Sequence, residues 1–121
     1  MARIRIQRLE KELTKLISNT ILYKLRDKNI QSVTITSVKL TNDMSLARVY
    51  FTHLGVESDK KVITSLTRSS GFIKKQIADA KLMRRIPELI FAYDEIADNA
   101  RQIEDILNKI RAEKDTEDAD D

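Results

Sequence analysis

Hydrophobic residues recur with a helical period through the first part of the chain. Ile6, Leu9, Leu13, Leu16, Ile17 and Ile21 fall on one side, and no Gly or Pro interrupts them, so Ile4 to Leu25 is predicted to be a helix. Arg5, Arg8, Lys11 and Lys15 recur on another side, with Glu12 among them, which gives one apolar and one basic face. The polar run Arg26-Asp27-Lys28-Asn29 ends the helix. The pattern then changes. Gln31 to Leu40 is rich in β-branched residues and reads as a strand. Val33 and Ile35 share one parity while Val38 and Leu40 take the other, so a bulge near Thr36-Ser37 is expected to reconcile them. Thr41-Asn42-Asp43-Met44-Ser45 is turn chemistry. Leu46 to Thr52 is a second strand completing a hairpin, with Ala47, Val49 and Phe51 inward and Arg48, Tyr50 and Thr52 outward.

Helical spacing returns after Leu54-Gly55-Val56, where Ser58 or Asp59 can cap a helix. A first piece places Val62, Leu66 and Ser69 together. A second, from Phe72, places Ile73, Ile77 and Ala80 together. Between them Ser69-Ser70-Gly71 interrupts the pattern and predicts a bend at the glycine. The second piece is expected to continue to Arg85-Ile86-Pro87-Glu88, because proline disfavours helix in the residue before it. Lys74, Ala78, Lys81 and Arg85 then form a basic stripe along it. Glu88 to Ile96 reads as a third strand with Leu89, Phe91 and Tyr93 on one face. Asp98 or Asn99 can cap a last helix, whose seam is Ile103, Ile106, Leu107 and Ile110. The order is α-β-β-α-(bend)-α-β plus a C-terminal helix, an α+β layer domain with a three-stranded sheet.

Charge sharpens this picture. The formal net charge of +3 hides an asymmetry. Residues 113–121 hold six acids and one lysine, whereas residues 1–112 hold 21 bases and 13 acids. The expected division is a basic folded body, 1–112, and an acidic, disordered tail, 113–121. The tail could fold over the basic face and screen weak RNA contacts, or simply keep the chain in solution. Lys60 to Arg85 carries eight Lys or Arg against one acid, Asp79. Lys74, Lys75, Lys81, Arg84 and Arg85, with Arg68 near the bend, are the expected phosphate-contacting residues. Arg3, Arg5 and Arg8 extend that surface if the first helix lies on the same side. Their action is electrostatic, by displacing counterions. Tyr50 is the best aromatic candidate for stacking on a base.

Catalytic chemistry has little to build on. The chain has no cysteine, one histidine, His53, and two glycines, so thiolate metal sites and Gly-rich phosphate loops are excluded. Asp94, Glu95 and Asp98 are close in sequence but sit where a strand ends and a helix needs its cap. No cofactor or metal is expected. No window is apolar enough for a membrane span and no signal peptide opens the chain, which points to the cytoplasm. A monomer is expected, on the premise that no large apolar stripe is left over.

The ordered set of motifs carries a resemblance. These are Val33-Thr34-Ile35-Thr36-Ser37-Val38-Lys39-Leu40, Asn42-Asp43-Met44-Ser45, Ala47-Arg48-Val49-Tyr50-Phe51, Gly71-Phe72-Ile73-Lys74-Lys75, Leu82-Met83-Arg84-Arg85-Ile86-Pro87-Glu88-Leu89 and Phe91-Ala92-Tyr93-Asp94. The element order resembles a type II KH domain, an RNA-binding fold. The usual GxxG loop is replaced by a Ser-x-Gly kink, Ser69-Ser70-Gly71. In that detail and in the motifs above the chain resembles the ribosome-binding factor A family over roughly residues 1–110. The resemblance implies binding to free or immature 30S subunits and 16S rRNA. It also implies assistance in late 30S maturation, including 5′-end processing, a link to growth in the cold, and release by an assembly GTPase. The alternatives are a basic module for other RNA, for DNA (with the helix from Phe72 in a major groove and Lys74, Lys75 and Gln76 near its start), or for an acidic protein partner.

Overall fold

In the computed structural model the chain opens with α1 (Ala2–Tyr23), whose buried stripe is Ile6, Leu13, Ile17 and Ile21. The structure describes residues 2–55 and 58–119, with the side chains of residues 2, 98, 100–102 and 113–119 outside that description. A single 3-10 turn (Lys28–Ile30), capped by Asp27 accepting from the Asn29 amide, drops Ile30 into the core. β1 (Val33–Leu40) and β2 (Leu46–His53) pair antiparallel. Their register shifts between Ile35 and Ser37, so Val33, Ile35 and Val38 all point into the core despite their mismatched parity. Ala47, Val49 and Phe51 of β2 are fully buried.

Two short helices cross back over the sheet. α2 (Asp59–Arg68) starts at Ser58, whose hydroxyl accepts from the Lys61 amide at 3.2 Å, and it buries Val62 and Leu66. α3 (Ser70–Asp79) buries Ile73 and Ile77. β3 (Glu88–Tyr93) then pairs parallel to β2, giving a mixed sheet in the order β1-β2-β3. α1 packs on β1, α2 on β3, and α3 against α1, so one hydrophobic core fills the space between three helices and one sheet. α4 (Glu95–Ala119) leaves the end of β3.

Five expectations change. The bend between α2 and α3 is made by Ser69, not by the glycine. Ser69 sits at φ −87°, ψ −1°, with its amide shared between the Ser65 and Leu66 carbonyls and its hydroxyl 3.3 Å from the Ser65 carbonyl. Ser70 is the first residue of α3, and its buried hydroxyl has no hydrogen-bond partner among the described residues. Gly71 lies inside the first turn of α3 without a positive φ, and a Cβ there would meet nothing within 4 Å.

Next, α3 stops at Asp79, well before Pro87, and Ala80 is exposed. Lys81 turns left-handed at φ 56° with its amide on the Ala78 carbonyl, a helix-ending conformation usually given to glycine. The stripe Lys74, Ala78, Lys81, Arg85 therefore does not exist as one helical face. Past Ile77 the pattern offers only Ala80 at helical spacing, too small a side chain to add much buried surface. Leu82 and Met83 reach the core only from a loop.

At the other end of the crossover, β3 ends at Tyr93, and the cap of α4 is Asp94, which accepts from the Ala97 amide at 2.9 Å. Ile96 thus belongs to α4 and is exposed, and Asp98 lies within the helix rather than before it. Thr52, expected outward, is buried at the end of β2, the strand that α4 touches. Finally, the seam of α4 is uncovered. Ile96, Ile103, Ile106, Leu107 and Ile110 are 47–84% exposed, so an apolar stripe is left over and the premise for a monomer falls. α4 itself runs past residue 112 to Ala119. The side chains of the acidic stretch, and residues 120–121 altogether, lie outside the described residues, and with them the tail expectation. Among the described residues no helix is long and apolar enough to cross a membrane.

Candidate nucleic-acid interface

Three segments distant in sequence meet at one end of the sheet. α1 contributes Arg5, Arg8, Leu9 and Glu12, which helical spacing places on one side. The β1–β2 turn contributes Asp43 and Met44, and the loop from α3 to β3 contributes Leu82, Met83, Arg84 and Arg85. Together they line a groove of about 580 Å³. Leu9, Leu82 and Met83 pack against the core and form its floor with half-buried Met44. The four arginines are exposed along its rim. None of the four arginines takes part in an ion pair among the described residues.

The turn that carries Met44 is tightly held. The Asp43 carboxylate accepts from the Ser45 hydroxyl at 2.7 Å, the Ser45 amide at 3.1 Å and the Thr41 hydroxyl at 2.8 Å. The bonds from Ser45 and Thr41 lower its pKa from the ordinary 3.8 to about 2. The carboxylate is spent on the turn and makes no ion pair with the groove's arginines.

Of the residues expected to contact phosphate, Arg5, Arg8, Arg84 and Arg85 come together. Arg3 lies one groove away, with Ile6, Gln7, Glu10, Lys39, Leu40 and Asn42. Lys74 is half-buried and tied to the Glu88 carboxylate at 2.9 Å. Arg68, Lys75 and Lys81 are exposed but line no part of the arginine groove. Tyr50 is half-buried in the sheet, also outside it. α3 is poorly placed as a DNA-reading helix, because Lys74 is paired and Gln76 accepts from the Lys24 ammonium at 2.6 Å. The apolar floor was missed by charge counting. Its only signal is the pair Leu82-Met83, apolar residues within a basic run and off the helical period.

Two of the polar residues considered for chemistry, Asp94 and His53, have structural partners. Asp94 caps α4 and accepts from the Thr36 hydroxyl, and these bonds lower its pKa. His53 Nε2 lies 2.9 Å from the Asp59 carboxylate, and its ring stands edge-on to Tyr93.

Known proteins resemble this chain in sequence and fold. The family model for ribosome-binding factor A matches residues 5–107. A ribosome-binding factor A from Macrococcus caseolyticus is 41% identical over 112 residues, spanning 92% of this chain and 98% of that one. The crystal structure of the Thermus thermophilus ribosome-binding factor A superposes with a TM-score of 0.66 at 25% identity, covering 73% of this chain and 94% of that one. A homology model of the Thermus thermophilus protein, fitted into a cryo-EM map of a 30S complex, superposes with a TM-score of 0.59 at 25% identity over 70% of this chain and 90% of that one. The family match takes in all three segments of the arginine groove, and the chain belongs to the ribosome-binding factor A family.

Proposed function

We propose that this chain is a cytoplasmic, non-enzymatic assembly factor that binds free or immature 30S subunits through 16S rRNA and assists their late maturation, including processing of the 5′ end. The observation that carries the reading is the convergence of Arg5, Arg8, Arg84 and Arg85 on one groove without ion-pair partners, in a chain of this family. The related Thermus thermophilus protein fitted into a map of a 30S complex supports the choice of subunit. In this reading the frame is a KH-like domain in which the bend at Ser69, just before Ser70 and Gly71, stands in place of a GxxG clamp. Phosphate contact therefore moves to the arginine rim, and Arg3, Arg68, Lys75 and Lys81 add a diffuse cationic field around it. Binding favours one arrangement of the rRNA over others, which is how a protein without catalytic groups steers assembly. Its release falls to an assembly GTPase.

Sedimentation of the purified chain with separated 30S, 50S and 70S particles at two salt concentrations tests this. Selective, salt-sensitive association with 30S is expected, because each arginine on a phosphate releases counterions. Reversing Arg5, Arg8, Arg84 and Arg85 to Glu abolishes that association while the circular dichroism spectrum stays unchanged. Lys74 is left alone, since Lys74→Glu would set a second carboxylate against Glu88. Undiminished co-sedimentation of the fourfold variant overturns the reading.

A further inference from the structure

The arginine groove joins two chemistries that a phosphate-binding surface alone does not require. Guanidinium groups hold phosphate through charge and forked hydrogen bonds, and a flat basic face suffices for that. Beneath the rim, however, lie Leu9, Met44, Leu82 and Met83. An apolar recess under cations suits a ligand with an anionic edge and a flat apolar body. Unpaired RNA bases have that character: they stack on arginine planes and pack into pockets while their phosphates remain at the surface. Thioethers are polarisable and adapt to aromatic faces. The groove's 580 Å³ lies within the roughly 300–1,000 Å³ of sites that enclose groups of this size.

Backbone conformation points to the same place independently. Met44, at φ 59°, and Lys81, at φ 56°, are the non-glycine residues with left-handed backbone among the described residues. Both occur in the loops that build the groove. Met44 lines it, and Lys81 directly precedes Leu82. Such a conformation is sterically unfavourable for a residue with a Cβ. It persists where surrounding bonds determine it, commonly at binding sites. The Asp43 hydrogen bonds hold the first. The second takes the chain out of α3, so that Leu82 and Met83 reach the floor while Arg84 and Arg85 reach the rim.

We propose that this groove seats an extruded, unpaired nucleotide of an RNA strand, its base on the Leu9, Met44, Leu82 and Met83 floor and its flanking phosphates on the four arginines. This rests on the RNA-binding reading above and adds discrimination between paired and unpaired RNA, which charge alone does not give. A base stacked within a duplex cannot reach the floor.

Fluorescence anisotropy with the full chain at fixed low salt tests this against three labelled ligands. These are a single-stranded six-nucleotide RNA, an abasic ribose-phosphate strand of equal length, and the first strand annealed to its complement. The abasic strand and the duplex are expected to bind about tenfold more weakly than the intact strand, the size of one lost base contact. Met44→Gln, which keeps side-chain length, removes most of that difference. Met83→Gln does the same from the other loop, should the first variant disturb the turn. Arg84→Ala instead weakens all three ligands alike and lowers the salt dependence. Equal binding of the three ligands by the unaltered chain overturns the proposal. If 30S sedimentation fails while the strands are still discriminated, the subunit reading falls and this one stands. If 30S binds and the strands are not discriminated, this one falls alone.

Discussion

Two aspartates show how little of a residue's role its type conveys. Asp43 and Asp94 both accept hydrogen bonds from hydroxyls and amides, one to hold a turn and the other to start a helix. In both, the bonds stabilise the carboxylate and lower its pKa, to about 2 for Asp43. A carboxyl depressed in the folded state contributes stability that is present above its unfolded pKa, near 3.8 for aspartate. That contribution is lost as pH falls through the folded value. Acid unfolding is therefore expected to steepen below about pH 4. Asp43→Asn should flatten that limb down to about pH 2, and Asp94→Ala should flatten it while also removing about 1 kcal/mol of capping at neutral pH. Thermal melts over a pH series check this, and parallel curves for wild type and variants would rule it out. Turn chemistry at residues 41–45 was legible from the sequence, and so was the capping character of the 94–98 region. Which carboxylate caps was not, because that depends on where β3 ends, and pairing with β2 decides it.

At the level of elements, hydrophobic period served where one face was buried and failed where it ran out. The strands, the β1 bulge and the buried stripes of α1, α2 and α3 follow directly from spacing. The end of α3 does not, because charges can continue a helical pattern on paper after its apolar side has nothing to cover. Tertiary packing of Leu82 and Met83 overrides that pattern and creates the groove. The glycine at the bend carries a related lesson. Gly71 has ordinary helical backbone and open space around its missing side chain. Gly71→Ala is therefore expected to raise stability by about 0.5 kcal/mol, through lower unfolded-state entropy and better helix propensity. Denaturant titration measures it, and a destabilised variant would mean that the bend needs the glycine after all.

For the molecule as a whole, the contrast lies between a packed domain and an unpacked last helix. α1, α2 and α3 each bury a face, whereas α4 leaves its apolar residues in solvent beyond its first turn. Most of a helix's stability in a protein comes from packing its apolar face, which α4 does not do over most of its length. Amide hydrogens of α4 beyond Ala97 should exchange at least about a hundredfold faster than those of β2. Equal protection would show the seam covered in solution. The sheet's connectivity adds a consequence in time. β1 and β2 are neighbours in sequence and can pair early, but β3 joins β2 in parallel only after the whole α2–α3 crossover has been made. Until Leu89 and Phe91 arrive, α2 lacks the strand on which it packs. The loop bearing Arg84 and Arg85 is anchored by that same strand. During synthesis, therefore, the arginine groove is among the last features to assemble, and a nascent chain still short of β3 does not yet display it.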